Sequence, residues 1–362
     1  MIRQTTARQV ITVGSQYKDH RGGIGGVIER YSKHFEVFNY VCTYGVTTNK
    51  ITIIWNFLKA TYLLSKRLIQ NPEIQIVHIH GAAKGSVIRK YVLFNLCQRI
   101  LKRKVVFHCH ASEMEVFYKQ SPSIIRWILK DFFNNTTAII CLSKSWEHFF
   151  TTNFTPKKLF VLENIVDDPI DHTLNTLPPT SPLKVLFLGA VGTRKGIFDL
   201  LQVLADNRSF YQDKILLTVG GNGEIERLEA FIIENNLEKV VKFEGWVSGV
   251  KKVQLLKETD IYILPSYNEG LPLSVLEAMS YSKPIISTYA GGIPEIVKPK
   301  VNGILVNPGN TREIDASLKT FIDNPQLIQV YGEASQEMVQ AHYAKQVMPK
   351  LEYIYNKILG VV

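Results

Sequence analysis

The feature that most constrains this fold is an alternation, met twice along the chain, of short β-branched or aromatic runs with longer helical patterns. Such an order builds βαβ units around a parallel sheet. In the first half, strands are predicted at Gln9–Gly14, Phe38–Thr43, Gln75–His80, Lys104–Cys109, Ala138–Leu142 and Leu159–Leu162. Helical patterns at Trp55–Ile69 and Ser86–Leu101 lie between them. A polar, proline-bearing stretch, Asp167–Pro182, then interrupts the pattern and reads as a linker. The alternation restarts with strands at Lys184–Leu188, Lys214–Val219, Val240–Glu244, Asp260–Leu264, Pro284–Ser287 and Gly303–Val306. A helical pattern over Gln326–Leu359 closes the chain. At 362 residues the chain exceeds what one hydrophobic core usually serves. The expectation is an α/β protein of two Rossmann-like, doubly wound domains facing across a cleft. Residues 1–170 form the first domain, 171–182 the linker and 183–342 the second, with a terminal helix over 343–362 bracing the first.

With 46% hydrophobic and 20% charged residues, the composition excludes a disordered chain. No apolar run reaches 18 residues, and Met1–Gln9 lacks the apolar stretch of a secretory signal, so a cytoplasmic protein is expected. Cys42, Cys97, Cys109 and Cys141 are scattered without metal-type spacing and read as reduced, packed thiols. The charge is lopsided. Residues 1–170 carry 23 lysines and arginines against 11 acids, and the remainder carries 19 against 21. A basic first half suits an anionic membrane surface, placing the protein at the inner face of a membrane, or a diphosphate-bearing acceptor; a solvated basic surface is the plain alternative. Nucleic acid is not among the expected partners, since no helix-turn-helix, finger or aromatic RNA-binding signature accompanies the charge.

The most informative segment is Asp260–Met279, DIYILPSYNEGLPLSVLEAM: a buried strand, a polar turn and an amphipathic helix in succession. In an open parallel sheet, ligands bind in the crevice at such a strand end. Ser274 reads as the helix N-cap with Glu277 in the first turn, while Glu269 stands in the preceding turn. The amides of Leu273 to Leu276, at the positive end of the helix dipole, suit a diphosphate. Glu277 can accept two bonds from a ribose diol, and Glu269 can take hydroxyls of a sugar. Ser274 and Glu277 also fit a mere capping box; Glu269 has no capping job and is aimed at a ligand.

The stretch S-Y-N-E-G-L-P-L-S-V-L-E-A-M, with its paired glutamates, resembles the donor-site motif of the retaining glycosyltransferases of family 4, which adopt the GT-B fold. Leu186–Gly196 (LFLGAVGTRKG), Val219–Gly223, Phe243–Val247 and Pro284–Val297 resemble further segments of that family, in its order. The likeness is looser in the first half, at Gly22–Gly26, Val77–Gly81, Phe107–Glu113 and Val161–Asp167. The resemblance implies a hexosyltransferase using a nucleoside-diphosphate sugar, uridine or guanosine, and a lipid-linked or polysaccharide acceptor in surface glycan biosynthesis. It implies that Glu269 contacts the donor hexose, Glu277 the ribose and Lys195 the diphosphate. Gly270, Leu271, Pro272, Leu273 and Ser274 would form the turn around the donor. Gly189 would lie in the facing loop, and Gly245, Trp246 and Val247 would line the base. His110 would contact the transferred sugar, with His80, Glu113 and Glu115 as further acceptor candidates. One departure stands out: the family's arginine five residues before the lysine is Ala190 here, and Arg194 is the candidate replacement. A cation there stabilises the charge that grows on a departing diphosphate.

Arg21–Gly26 (RGGIGG) follows the first strand and opens a helical run, Val27–Phe35; bare backbone at Gly25 and Gly26 would let a phosphate or acceptor approach closely. His78 with His80, and His108 with His110, alternate at strand ends, so each pair shares a face. They read as neutral structural histidines in preference to a zinc site. No D-x-D triplet offers a carboxylate pair for a catalytic metal, so neither a metal nor another cofactor is expected. Two rivals remain. A nicotinamide dehydrogenase lacks its fingerprint, since Gly23-x-Gly25 continues to Ile28 and Gly221-x-Gly223 to Glu226. An inactive sugar-nucleotide or glycan-binding protein of the same fold is compatible with Ala190.

Overall fold

The computed structural model describes residues 1–18, 22–45, 49–169 and 181–361. The chain divides into two compact units, Met1–Ile165 with His342–Val362, and Val166–Ala341. Most of the linker predicted at 171–182 lies outside the described residues.

In the first unit the strands are β1 (Val10–Ser15), β2 (Asn39–Tyr44), β3 (Ile76–Gly81), β4 (Lys104–Cys109), β5 (Ala138–Cys141) and β6 (Leu159–Val161). All pair in parallel, in the order β2-β1-β3-β4-β5-β6. Alternation along each strand sends one set of side chains to each face. Val77, Ile79, Val105, Phe107 and Ile139 meet Leu64 and Leu68 of helix Lys50–Gln70, and Leu129, Phe132 and Phe133 of helix Ser123–Asn135, in a single core. Aromatic rings lock its far end: Phe107 and Phe132 lie 5.0 Å apart, and Phe133 meets Phe154 edge-on at 4.9 Å. Each such pair adds about 1 kcal/mol beyond area burial. The opposite face holds histidines and the last helix of the chain, Ala344–Leu359, whose Tyr355 hydroxyl lies 2.6 Å from His78 Nδ1.

In the second unit the strands are β7 (Leu183–Leu188), β8 (Ile215–Gly220), β9 (Val241–Phe243), β10 (Ile261–Leu264), β11 (Ile285–Thr288) and β12 (Gly303–Val306). They are again parallel, ordered β12-β11-β10-β7-β8-β9. From β7 the chain runs outward to β8 and β9, and from β10 outward the other way. The carboxyl ends of β7 and β10 therefore flank the switch point where ligands bind in such sheets.

Every strand begins and ends within one residue of its predicted run. The helices differ more. The pattern at Trp55–Ile69 belongs to a longer helix, Lys50–Gln70, started by Asn49, whose side chain accepts from the amides of Ile51 and Thr52. Ser86–Leu101 divides into an α-helix, Gly85–Phe94, and a π-helical turn, Asn95–Ile100. The helix after β1 spans Gly23–Ser32, not Val27–Phe35. Its first turn contains the glycines, of which Gly25 and Gly26 are buried. Arg21 lies outside the described residues.

Candidate active site

Four loops at the carboxyl ends of β7, β8, β9 and β10 carry the candidate donor residues. After β7, the loop from Gly189 leads to a single 3-10 turn, Thr193–Lys195, closed by Gly196 at φ +70°. A Cβ on Gly196 would fall 1.9 Å from the Pro265 carbonyl oxygen, so only glycine lets this turn press on the loop after β10. The two loops are laced by backbone and side chain: Tyr267 N donates to the Arg194 carbonyl at 2.9 Å, and Arg194 Nη1 donates to the Asn268 carbonyl at 3.1 Å. Arg194, the candidate substitute for the cation missing at exposed Ala190, thus holds the acidic loop with one of its five donors.

The lacing brings Lys195 Nζ onto Glu269 Oε1. Ser266 Oγ donates to the same oxygen at 2.7 Å. Glu269 is only 5% exposed, so its charge is held by an ammonium and a hydroxyl in a largely dry setting. From the other side, Gly291 at φ +54° brings the loop after β11 against it; a Cβ there would lie 1.9 Å from the Glu269 carbonyl oxygen. Gly292 N donates to the Gly270 carbonyl at 2.8 Å.

Gly270, Leu271 and Pro272 are buried and lead into helix Leu273–Ser280. Here the structure corrects the predicted N-cap. Pro272 occupies that position with extended backbone, and its carbonyl accepts from Leu276 N at 3.3 Å. Ser274 therefore sits one residue inside the first turn and makes no cap; its hydroxyl bonds to the Tyr262 phenol instead. The amides of Leu273, Ser274 and Val275 have no intrahelical carbonyl to bond, which gives this helix start its capacity for an anion. Glu277, also buried at 8% exposed, lies on the same helix, where Lys252 Nζ donates to its Oε1 at 2.7 Å. Tyr262 OH, donating to the Leu188 carbonyl at 2.9 Å, feels both carboxylates; burial first, then Glu277 and Glu269, hold its phenol above the usual range. Both acids thus act on one hydroxyl beneath the switch point.

Gly189 N donates to the Gly220 carbonyl at 3.0 Å, and the Gly245 carbonyl accepts from Gly221 N at 2.7 Å, so the loops after β7, β8 and β9 run side by side. Trp246 is half-buried and Val247 buried, its side chain against Gly220.

His110, Gly25 and Gly26 belong to the first unit. There the register of β3 against β4 sets His80 beside His108, and the four imidazoles stack on one face. Ring centroids are 4.4 Å apart for His78 and His80, and 4.2 Å for His108 and His110. His80 Nδ1 lies 2.8 Å from His110 Nε2, and His78 Nε2 lies 3.3 Å from His108 Nδ1. Burial lowers the His78 pKa to about 3, and burial with neighbouring histidines holds His80 and His108 well below the usual imidazole range. The stack is therefore neutral. Among the described residues, His78, His80 and His108 are the group whose nitrogens come within 4.8 Å of one another. His78 commits both nitrogens, to Tyr355 and His108, and near-parallel rings do not aim lone pairs at a common point. Of the remaining acceptor candidates, Glu113 pairs with Lys84 at 3.2 Å and Glu115 with Lys119 at 2.7 Å.

Sequence reasoning missed Lys252 and Ser266 as partners of the two acids, and Gly196 and Gly291 as the glycines that clamp the acidic loop. The two glycines had a signal, since each ends or interrupts a loop between a strand and a helix. Lys252, one of two adjacent lysines on a polar helix, had none.

A switch point with a helix start able to accept an anion, two buried acids and a lysine on each is chemically suited to a phosphorylated, hydroxyl-rich ligand. Comparison with known proteins gives the family. Residues 174–338 match the glycosyl transferases group 1 family and residues 56–168 match glycosyltransferase family 4. The chain belongs to these GT-B glycosyltransferases and is an enzyme of that kind. It is 27% identical over 281 residues to an uncharacterised glycosyltransferase, MJ1069, of Methanocaldococcus jannaschii, covering 72% of this chain and 70% of that one. It is 25% identical over 197 residues to the amylovoran biosynthesis glycosyltransferase AmsK of Erwinia amylovora, covering 51% of this chain and 47% of AmsK. In fold it is similar to Anabaena HepE, solved in complex with UDP-glucose, with a TM-score of 0.75, 18% identity and coverage of 98% and 100% of the two chains. No helix of the described residues is long and apolar enough to cross a membrane.

Proposed function

We propose that the protein transfers a hexose, with retention of anomeric configuration and without a metal, from a uridine diphosphate sugar to a lipid-linked or polysaccharide acceptor in surface glycan assembly; guanosine diphosphate sugar is the second donor to test. The observation that carries this reading is the pair of buried acids, Glu269 and Glu277, each held by a lysine on either side of one helix start. The donor diphosphate lies against the amides of Leu273 to Val275. Lys195 can give one N–H to phosphate while keeping Glu269, since an ammonium has three donors. Glu269 takes hexose hydroxyls and Glu277 the ribose diol.

As the bond from the anomeric carbon to the phosphate oxygen breaks, charge grows on the nucleoside diphosphate, and Lys195, Arg194 and the helix amides stabilise it. The acceptor hydroxyl bonds to the anomeric carbon from the same side, and its proton passes to the departing phosphate. No protein nucleophile takes part. HepE's complex with UDP-glucose supports the choice of donor, and AmsK's part in amylovoran biosynthesis supports a polysaccharide or its lipid-linked precursor as acceptor.

The test begins with thermal shifts over uridine, guanosine and adenosine diphosphate sugars, because a ligand of the folded state raises its melting temperature. Nucleotide release with acceptor and a metal chelator present should then continue undiminished, and Glu269→Ala should lower it by about a hundredfold or more while melting remains cooperative. Donor binding without any nucleotide release across lipid-linked and polysaccharide acceptors would identify a binding protein of this fold instead. Near-normal release by Glu269→Ala would remove the site assignment.

A further inference from the structure

Helix Lys50–Gln70 has two apolar faces, and only one is used by the core. Ala60, Leu64 and Leu68 point inward and are buried. Ile51, Ile54, Trp55, Leu58, Tyr62 and Ile69 are 56–79% exposed. Their spacing of three, four and seven residues lines them along one stripe, roughly 140° around the helix from the buried one at 100° per residue. Scattered surface leucines need no explanation, but six large apolar side chains in one stripe do.

The charges of this helix say what covers the stripe. It carries Lys50, Lys59, Lys66 and Arg67 and no acid, and no acid occurs between Glu36 and Glu73. Lys59 and Lys66 are exposed on the flank of the stripe, where long stems can lie on apolar surface and lift their ammonium groups to phosphates. A second copy of the helix would set like charges against each other.

Helix Ser123–Asn135 belongs to the same helical layer. Its Leu129, Phe132 and Phe133 share one core with Leu64 and Leu68, so both helices cover the same face of the sheet. Each follows the carboxyl end of a parallel strand, which brings the starts of the two helices to the same end of that layer. Ile124 and Trp127, 62% and 59% exposed near the start of the second helix, thus lie at the same end as Ile54 and Trp55. Arg126 and Lys130 accompany them, while the acid of that helix, Asp131, is bound to Arg99 at 2.7 Å.

We infer that the first unit docks on an anionic lipid bilayer through the outer stripe of helix Lys50–Gln70, with Ile124 and Trp127 of the same helical layer as a second apolar contact. Apolar side chains enter the boundary between headgroups and acyl chains, tryptophan and tyrosine settle at headgroup level, and the lysines meet lipid phosphates. This surface is independent of the donor site, so its failure would leave the transferase reading untouched.

The test is co-sedimentation of the full chain with vesicles of pure phosphatidylcholine and with vesicles of about one-third phosphatidylglycerol. The expected result is binding to the anionic vesicles alone, weakened by about 0.5 M salt. Trp55→Glu with Leu58→Glu should lower the partition coefficient about tenfold or more, with an unchanged melting temperature and unchanged donor binding. Lys59→Gln with Lys66→Gln, which leaves the stripe intact, should lower it several-fold and flatten the salt dependence. Wild-type protein that stays in the supernatant, or a Trp55→Glu, Leu58→Glu variant that binds like wild type, overturns the proposal. So does a concentration-dependent dimer that this variant abolishes while vesicle binding stays at background.

Discussion

Lys252 Nζ lies 2.7 Å from Glu277 Oε1, although the lysine comes from the helix that enters β10 and the glutamate from the helix that leaves it. One strand is thus flanked by two helices tied through a carboxylate that is nearly out of water. An acid so nearly out of water needs a countercharge, and this ammonium also fixes one of its oxygens.

Lys252→Ala is therefore expected to weaken donor binding about tenfold, equivalent to about 1.4 kcal/mol, and to lower the melting temperature, because it leaves a buried carboxylate without its ammonium. Lys252→Arg, which keeps the charge, should recover most of the loss. Isothermal titration with the nucleotide sugar chosen by the thermal-shift screen would show this. Equal affinity in wild type and Lys252→Ala would mean that Glu277 does not hold the ribose.

Gly196 and Gly291 press on the acidic loop from opposite sides, one against the Pro265 carbonyl and one against that of Glu269. Both have left-handed backbone, so alanine at either position combines torsional strain with a backbone clash. Each substitution should cost about 2 kcal/mol or more of stability. It should also lower transfer more than donor-independent folding signals, because the displaced segment carries Glu269. Chemical denaturation and transfer rates measured on the same preparations test both claims, and a fully active, fully stable Gly291→Ala would refute the clamp.

The strands were legible because parallel strands covered on both faces read as continuous β-branched or aromatic runs. The acids were legible for a different reason: Glu269 sits in a tight turn with no structural duty that local sequence could supply. Helix starts were less so. Ser274 is a good cap by type, but Pro272 supplies the extended residue and the carbonyl first, and the serine is left to bond Tyr262. Lys252 and Ser266 could not be read at all, since their function depends on which helix and loop end beside the acids. The histidine stack falls between these cases. Alternation puts His78 with His80 and His108 with His110, whereas only the β3–β4 register makes one column of four.

Ala190 is exposed, so a longer side chain there has room. If Arg194 supplies the charge that the family's arginine supplies elsewhere, Arg194→Gln should reduce transfer about tenfold or more. Adding Ala190→Arg to that variant should restore much of the loss, most clearly at low ionic strength where an exposed cation is least screened. Rates of nucleotide release for the single and double variants decide the matter. Arg194→Gln with unimpaired transfer would confine this residue to bracing Asn268.

The neutral histidine stack makes the stability of the first unit depend on acid. In the unfolded chain an imidazole takes up a proton near pH 6.5. In the folded unit His78 and His110 resist until about pH 3, and burial keeps His80 and His108 neutral well below their usual range. Between those limits the unfolded state binds more protons, so stability is complete above about pH 6.5 and falls as the pH drops toward 3, by about 1.4 kcal/mol per pH unit for each imidazole kept neutral. Urea denaturation followed between pH 7.5 and 5 should show midpoints that fall steeply, with uptake of about four protons on unfolding if all four behave alike. His78→Phe, which removes one of these groups and its bond to Tyr355, should lower stability at pH 7.5 yet reduce the slope by about one proton. A flat profile in the wild type, or an unchanged slope in the variant, would show that the column does not hold its imidazoles neutral.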